Sequence, residues 1–150
     1  MPSPAVSVLV VDDQAPFRVA ARLVVRATAG FEVIGEAKSG EEAVEAVARL
    51  NPQLVLMDIN MEGMGGIAAT RLIRDEHKGT NVILLSTYDE EDLPADARTC
   101  GALAYVHKER FGPDILEGTW STSPANGSPA NGSPGDSGPG DGGPADGTGP

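Results

Sequence analysis

VLVVDDQAPF, residues 8–17, carries an unbroken apolar run into two adjacent acids, Asp12 and Asp13, and then into a proline placed for the first turn of a helix. An apolar run without polar alternation marks a strand covered on both faces, as in a parallel sheet with helices above and below. Adjacent carboxylates repel each other and lose hydration on burial, so a pair of them at the mouth of such a strand needs a partner.

Four further runs match the first. The full set is AVSVLVV (5–11), FEVIGEA (31–37), LVLMDI (54–59), NVILLS (81–86) and ALAYV (102–106). Helical segments lie between them. PFRVAARLVVRATAG (16–30) starts on proline and stops at Gly30, and GGIAATRLIRDEHKG (65–79) carries Ile67, Leu72 and Ile73 and stops at Gly79. SGEEAVEAVARLN (39–51) has Ser39 as N-cap, acids in its first turn, and Ala43, Val44, Val47, Ala48 and Leu50 on one apolar side. With one further helix expected between the fourth and fifth strands and a last one after Lys108, the chain reads as α/β, a parallel sheet with helices on both faces.

Ligands of open parallel sheets sit beyond the carboxyl ends of the strands. Those ends hold Asp12 and Asp13, Asp58, Ser86 and Thr87, and His107 and Lys108. Three carboxylates within ~4 Å would repel by roughly 4 kcal/mol per pair at an effective dielectric near 20. A hard divalent cation relieves that, and an all-oxygen, half-open site favours Mg²⁺. The hydroxyl and the amine at the neighbouring strand ends fit a phosphoryl group, whose oxygens are neutralised by a cation, an ammonium and a hydroxyl from different directions. One of the aspartates is then the nucleophile.

Four motifs in register, VLVVDD, LVLMDINMEGMGG, VILLSTYD and GALAYVHK, resemble the receiver domain of two-component response regulators, over residues 5 to about 117; the fourth strand and the HKERFGPDIL segment look most like its NarL type. The resemblance implies a doubly wound, flavodoxin-like five-stranded parallel sheet in the order 2-1-3-4-5. It also implies that Asp58 is the phosphoacceptor, that Asp13, Asp58 and the backbone carbonyl of Asn60 ligate Mg²⁺, and that Asp12 assists through water. Ser86 matches the switch hydroxyl, Tyr105 the aromatic that moves with it, and Lys108 the amine that pairs with phosphate. Asn60 and Tyr88 match positions that tune loss of the phosphoryl group. The expected donor is a histidine kinase, and the expected output is a shift in the face made by the helix between strands four and five, the fifth strand and the last helix, read by a downstream protein.

The pattern is broken in places. Glu62 stands where the family usually has proline, and Gly65 where Asp or Asn is common; both changes loosen the loop after Asp58. The last helix reads as truncated at Gly118, which weakens a dimerisation face and favours a monomer or weak dimer.

From Thr119 on there is no Lys, Arg, Glu, Leu, Ile, Val or Phe, and proline recurs at 124, 129, 134, 139 and 144. This pentapeptide array offers no apolar surface to offset backbone ordering, so a folded receiver over 4–118 and a disordered Pro/Gly/Ser/Asp/Asn-rich tail over 119–150 are expected. The formal charge is −11, and outside the tail 11 basic residues face 19 acids. Such a surface repels phosphate backbones, and the tail supplies no helix-turn-helix, so direct DNA binding is not expected and the chain reads as a stand-alone receiver. One cysteine, no signal-peptide pattern and no apolar run near the ~18 residues of a membrane span make a cytoplasmic protein the plain expectation.

Blander readings stand beside these. Adjacent acids after a strand commonly cap a turn, His107 beside an apolar strand reads as structural, Cys100 as a small buried residue, and Met57, Met61 and Met64 as packing. Two other functions compete: a pseudo-receiver that docks a partner without phosphorylation, and an aspartate-nucleophile phosphohydrolase of the haloacid dehalogenase type. The last fails at its first motif, because the positions two beyond Asp12 and Asp13 are Gln14 and Ala15.

Overall fold

Each apolar run forms a strand: β1 Val6–Val11, β2 Phe31–Ala37, β3 Leu54–Asp58, β4 Asn81–Ser86 and β5 Ala104–His107. The computed structural model describes residues 5–121. All strand pairs are parallel, in the order β2-β1-β3-β4-β5. Four α-helices accompany them, α1 Ala15–Ala27, α2 Gly40–Leu50, α3 Gly66–Glu76 and α4 Pro113–Ser121. This is the expected flavodoxin-like arrangement, with a last helix of only nine residues.

The two-residue period of the strands sorts the core. Leu9, Val11, Val55, Met57, Val82 and Leu84 join one buried cluster with Ala43, Ala46 and Val47 of α2 and Ala69 and Ile73 of α3. The alternate residues Val8, Val10, Leu54, Leu56, Ile83 and Leu85 are equally buried but stand outside that cluster, as do Ala21 and Val25 of α1. Full burial of the central strands on both faces explains why they read as unbroken apolar runs.

Helix ends follow local chemistry. Ser39 Oγ accepts the Glu42 N–H at 3.1 Å while Glu42 Oε1 accepts the Lys38 N–H at 3.0 Å, a reciprocal cap on α2. Asn51 closes α2 in the left-handed region at φ 51°. At the start of α3 Gly65 offers no side-chain cap, which costs only a few tenths of a kcal/mol relative to a capping residue.

Several expectations are corrected. The segment between β4 and β5 is not an α-helix; it forms two 3₁₀ turns, Glu90–Asp92 and Ala95–Arg98. Pro94 explains the break, since it lacks an N–H and disfavours the helical region for Leu93 before it, and four consecutive acids, Asp89 to Asp92, add repulsion. β5 starts two residues later than expected and ends one later, so His107 lies within it and Lys108 is the first residue past its end. In α2 Ala46 is buried and Ala48 exposed, and in α3 Leu72 faces solvent.

Two units are distinguished, Met1–Leu116, which holds the sheet, and Glu117–Pro150. The last helix runs to Ser121, three residues past Gly118, where it was expected to stop. The pentapeptide repeat lies outside the described residues. Among those described, no helix is long and apolar enough to cross a membrane.

Candidate functional site

Register brings the acids together. Val11 pairs with Met57, so Asp12 and Asp58 leave neighbouring strands side by side, and Asp58 in turn pairs with Leu85, the residue before Ser86. Oxygen atoms of Asp12, Asp13 and Asp58 all lie within 4.8 Å of one another. Asp12 is 1% exposed and Asp58 4%, whereas Asp13 is open to solvent.

Lys108 enters from the end of β5. Its Nζ donates to Asp12 Oδ2 at 2.7 Å and lies 3.4 Å from Asp58 Oδ1, which joins residues 96 positions apart in the chain. The same ammonium sits 4.3 Å from the centroid of the Phe17 ring in the first turn of α1, a cation–π contact that holds it over the acids. Burial, with the Asp12 carboxylate adding to it, raises the Asp58 carboxyl from 3.8 to about 6, against partial relief from Lys108 and the Asn60 amide. Two buried acids therefore share one ammonium, and the donor set is all oxygen, close-set and open on the Asp13 side, which fits a hard divalent cation.

The turn that presents Asp12 is fastened from α1. Arg18 Nη1 donates to the Asp12 carbonyl at 2.7 Å and its Nε to Glu36 Oε1 at 3.2 Å, while Arg22 Nη1 holds the other oxygen of Glu36 at 2.7 Å. Asp12 Oδ1 also accepts the Gln14 N–H at 2.8 Å. The turn-capping reading of the acids is thus true of Asp12, together with its place in the cluster.

The β3–α3 loop is seated on Asp58. The Asn60 N–H points to Asp58 Oδ1 at 3.4 Å. At Gly66 a Cβ would fall 2.0 Å from the Asp58 carbonyl oxygen, so only glycine lets α3 start this close to the strand.

Tyr88 links the remaining residues. Its N–H donates to Ser86 Oγ at 2.9 Å, its carbonyl accepts from the Tyr105 hydroxyl, and its own hydroxyl reaches Asn60 Oδ1 at 3.5 Å. Ser86 is 1% exposed, with its own proton bonded to nothing among the described residues. His107 is structural in its contacts: Nε2 meets the Thr87 carbonyl at 3.0 Å and Nδ1 accepts the Glu109 N–H at 3.1 Å. Cys100 is buried, Met57 lies in the core, and Met61 and Met64 pack against it.

Of the eight residues singled out from the sequence, Asp12, Asp13, Asp58, Asn60, Ser86, Tyr88 and Lys108 fall at the carboxyl end of the sheet, and Tyr105 stands within β5 opposite Leu84, its hydroxyl reaching the Tyr88 carbonyl. Sequence reasoning missed Phe17, Arg18 and Glu36. Position offered a signal for two of them, since Phe17 and Arg18 stand in the first turn after the acids; nothing local marked Glu36.

Comparison with known proteins agrees with this arrangement. The family described as "Response regulator receiver domain" matches residues 8–117. The protein-glutamate methylesterase/protein-glutamine glutaminase 4 of Geobacter metallireducens is 45% identical over 97 residues, 65% of this chain and 28% of that protein. The transcriptional regulatory protein DegU of Brevibacillus brevis is 32% identical over 112 residues, 75% of this chain and 48% of that one. The chain thus spans half or less of the length of these curated relatives. Among solved structures, the signal receiver domain of the putative response regulator NarL from Mycobacterium tuberculosis superposes with a TM-score of 0.73 at 28% identity, covering 80% of this chain and 97% of that one. With the sheet order, the acid cluster and the lysine at the end of β5 already in place, the match over residues 8–117 settles the family: the chain belongs to the response regulator receiver domains of two-component systems.

Proposed function

We propose that the chain accepts a phosphoryl group on Asp58 from a histidine kinase. The observation that carries this reading is Lys108 Nζ set between Asp12 and Asp58, at 2.7 and 3.4 Å, inside a triad of carboxylates. One Asp58 oxygen attacks phosphorus, the bond from phosphorus to the donor's imidazole nitrogen breaks, and an acyl phosphate remains on β3. With its carboxyl at about 6 even without a cation, Asp58 is mostly ionised at neutral pH, as a nucleophile must be.

Asp12, Asp13, Asp58 and the backbone carbonyl of Asn60 are the groups that would hold Mg²⁺. The ion would supply neutralisation of phosphoryl oxygens. Lys108 offsets charge on the same group from the β5 side, and Ser86, whose proton is uncommitted, donates a hydrogen bond to it. The product carries about −1.5 to −2 charge, so Lys108 gains by leaving Asp12 for the phosphoryl group. Movement of Ser86 pulls on the Tyr88 N–H, and through Tyr88 on Tyr105 and Asn60. That chain of contacts is the proposed route to a surface read by a partner protein.

Incubation with Mg²⁺ and acetyl phosphate, followed by intact mass, tests the reading. Gain of one phosphoryl group by the wild type, absent in Asp58→Asn, is expected. No adduct on the wild type, or an adduct that survives the substitution, overturns it.

One observation favours a second reading, docking without phosphorylation: the crossover from β4 to β5 lacks the α-helix through which the switch was expected to be read. Equal affinity of wild type and Asp58→Asn for a captured partner, with and without phosphodonor, would select it.

A further inference from the structure

The loop between Asp58 and α3 is rich in backbone freedom, with Gly63 and Gly65 among the five residues from Met61 to Gly65 and no proline ring to lock φ at Glu62. Backbone bonds tie it at both ends, beside the Asn60 contacts already described. The Ile59 N–H donates to the Leu85 carbonyl and the Gly66 N–H to the Ile59 carbonyl, each at 3.0 Å. Between those ties, among the described residues, one side chain from outside bonds the backbone of Met61 to Gly65: Glu41 Oε2 accepts the Met64 N–H at 3.2 Å.

The surroundings of that bond are fitted to it. Gly63 stands at φ +72°, and a Cβ there would meet Glu41 Oε2 at 2.8 Å, so the carboxylate lies over a bare α-carbon. Next to Glu41 the first residue of α2 is Gly40, where a Cβ would fall 2.3 Å from the Met64 carbonyl oxygen. The first turn of α2 is therefore pressed against the loop's backbone at two adjacent positions, one closing the gap and the other bonding across it.

From this we propose that Glu41 is a positioning residue for phosphorylation of Asp58. Its carboxylate fixes the path of residues 61–65 and, through it, the Asn60 peptide, whose N–H faces Asp58 Oδ1 and whose carbonyl is the proposed cation ligand. It supplies the restraint that a proline at 62 would give by locking φ. The proposal rests on the phosphoacceptor reading above, and its test separates the two.

The experiment follows the rate of phosphoryl gain with Mg²⁺ and acetyl phosphate by intact mass in wild type, Glu41→Ala, Glu41→Gln, Glu62→Pro and the Glu41→Ala/Glu62→Pro double variant, each first shown to be folded by its melting transition. Glu41→Ala should slow the reaction by about three- to tenfold, the rate equivalent of one ordinary hydrogen bond. Glu41→Gln, which keeps an acceptor oxygen and loses the charge, should stay within about twofold of wild type. Adding Glu62→Pro should restore most of the rate lost in Glu41→Ala. Wild-type speed in Glu41→Ala, equal slowing in Glu41→Gln, or no rescue by proline overturns the proposal. Hydrogen exchange at the Met64 amide is read in the same proteins without phosphodonor: faster in Glu41→Ala and unchanged in Glu41→Gln is expected, and equal protection in all three overturns the restraint itself. If the wild type takes up no phosphoryl group, the phosphoacceptor reading fails, while the exchange result still decides whether Glu41 holds the loop.

Discussion

The two sides of the sheet's carboxyl edge are built to different standards. Where β1, β3 and β5 end, polar atoms have placed partners: Asp12 bonds Gln14 and Lys108, its carbonyl bonds Arg18, and Asp58 is flanked by Lys108 and the Asn60 amide. In the crossover from β4 to β5, only Ala97 and Cys100 are buried among the described residues 87–103, and the backbone forms two short turns. A group that must meet phosphorus needs its neighbours fixed in advance, whereas a segment that changes shape is drawn from the least stable parts of a fold. The contrast separates a pocket whose polar atoms hold fixed partners from a crossover with little buried surface.

The largest expected effect breaks the tight side. Gly66→Ala puts a Cβ where the Asp58 carbonyl oxygen stands, 2.0 Å away, with backbone rather than a flexible side chain in its path. Either α3 or the end of β3 must shift, at a cost of about 3 kcal/mol or more, the upper end for overpacking. Urea unfolding should show a lower midpoint with an unchanged slope. A loss below about 0.5 kcal/mol, the range of an ordinary surface change, would mean that the pocket side is no more rigid than the crossover.

The second effect concerns charge in the pocket. The Asp58 carboxyl titrates at about 6 in the folded chain and near 3.8 when exposed. A raised acid favours its protonated form on folding, so the wild type loses stability as pH rises from about 4 to about 6, and the loss is complete above that. Asp58→Asn removes the ionisation. Without divalent cation it should be more stable than wild type at pH 7.5 by up to about 3 kcal/mol, and the gap should close near pH 4. Millimolar Mg²⁺ should narrow it at pH 7.5 by stabilising the wild type through binding. Melting curves across pH check this, and a constant difference at all pH values would show that the triad is not strained.

The contrast also marks how far the chain could be read in advance. The central strands β1, β3 and β4 were legible because each is covered on both faces and so shows an unbroken apolar run. Asp12, Asp13, Asp58 and Lys108 could be placed at one edge because parallel strands deliver their carboxyl ends there. Glu41 and Glu36 were not legible, because their bonds to Met64 and to the two arginines depend on how helices sit on the sheet. The helix expected between β4 and β5 failed for a different reason: alternation and family likeness asked for it, and the local chemistry of Leu93-Pro94 and four acids in a row decided against it. Ala48 and Ala46 exchanged places because alanine fits either side of a helix, so its burial is set by rotation of α2 and not by its own hydrophobicity.

The smallest effect sharpens the loose side. If Pro94 is what keeps the crossover from winding into an α-helix, Pro94→Ala restores an N–H and frees Leu93 to enter the helical region. Ala97 and Cys100, three residues apart and both buried, already lie on what would be one helical face. The variant also loses the restraint that proline places on the unfolded chain, so its stability should fall by no more than about 1 kcal/mol, while its helical circular dichroism rises. Phosphoryl uptake by Asp58 should not change, because no atom of Pro94 bonds the pocket. A rise in helicity with unchanged uptake would assign the turns to one residue and show that the edge reacts independently of the crossover's form. No rise would place the cause in the repulsion among Asp89 to Asp92, which a charge-neutral variant of that run would then relieve.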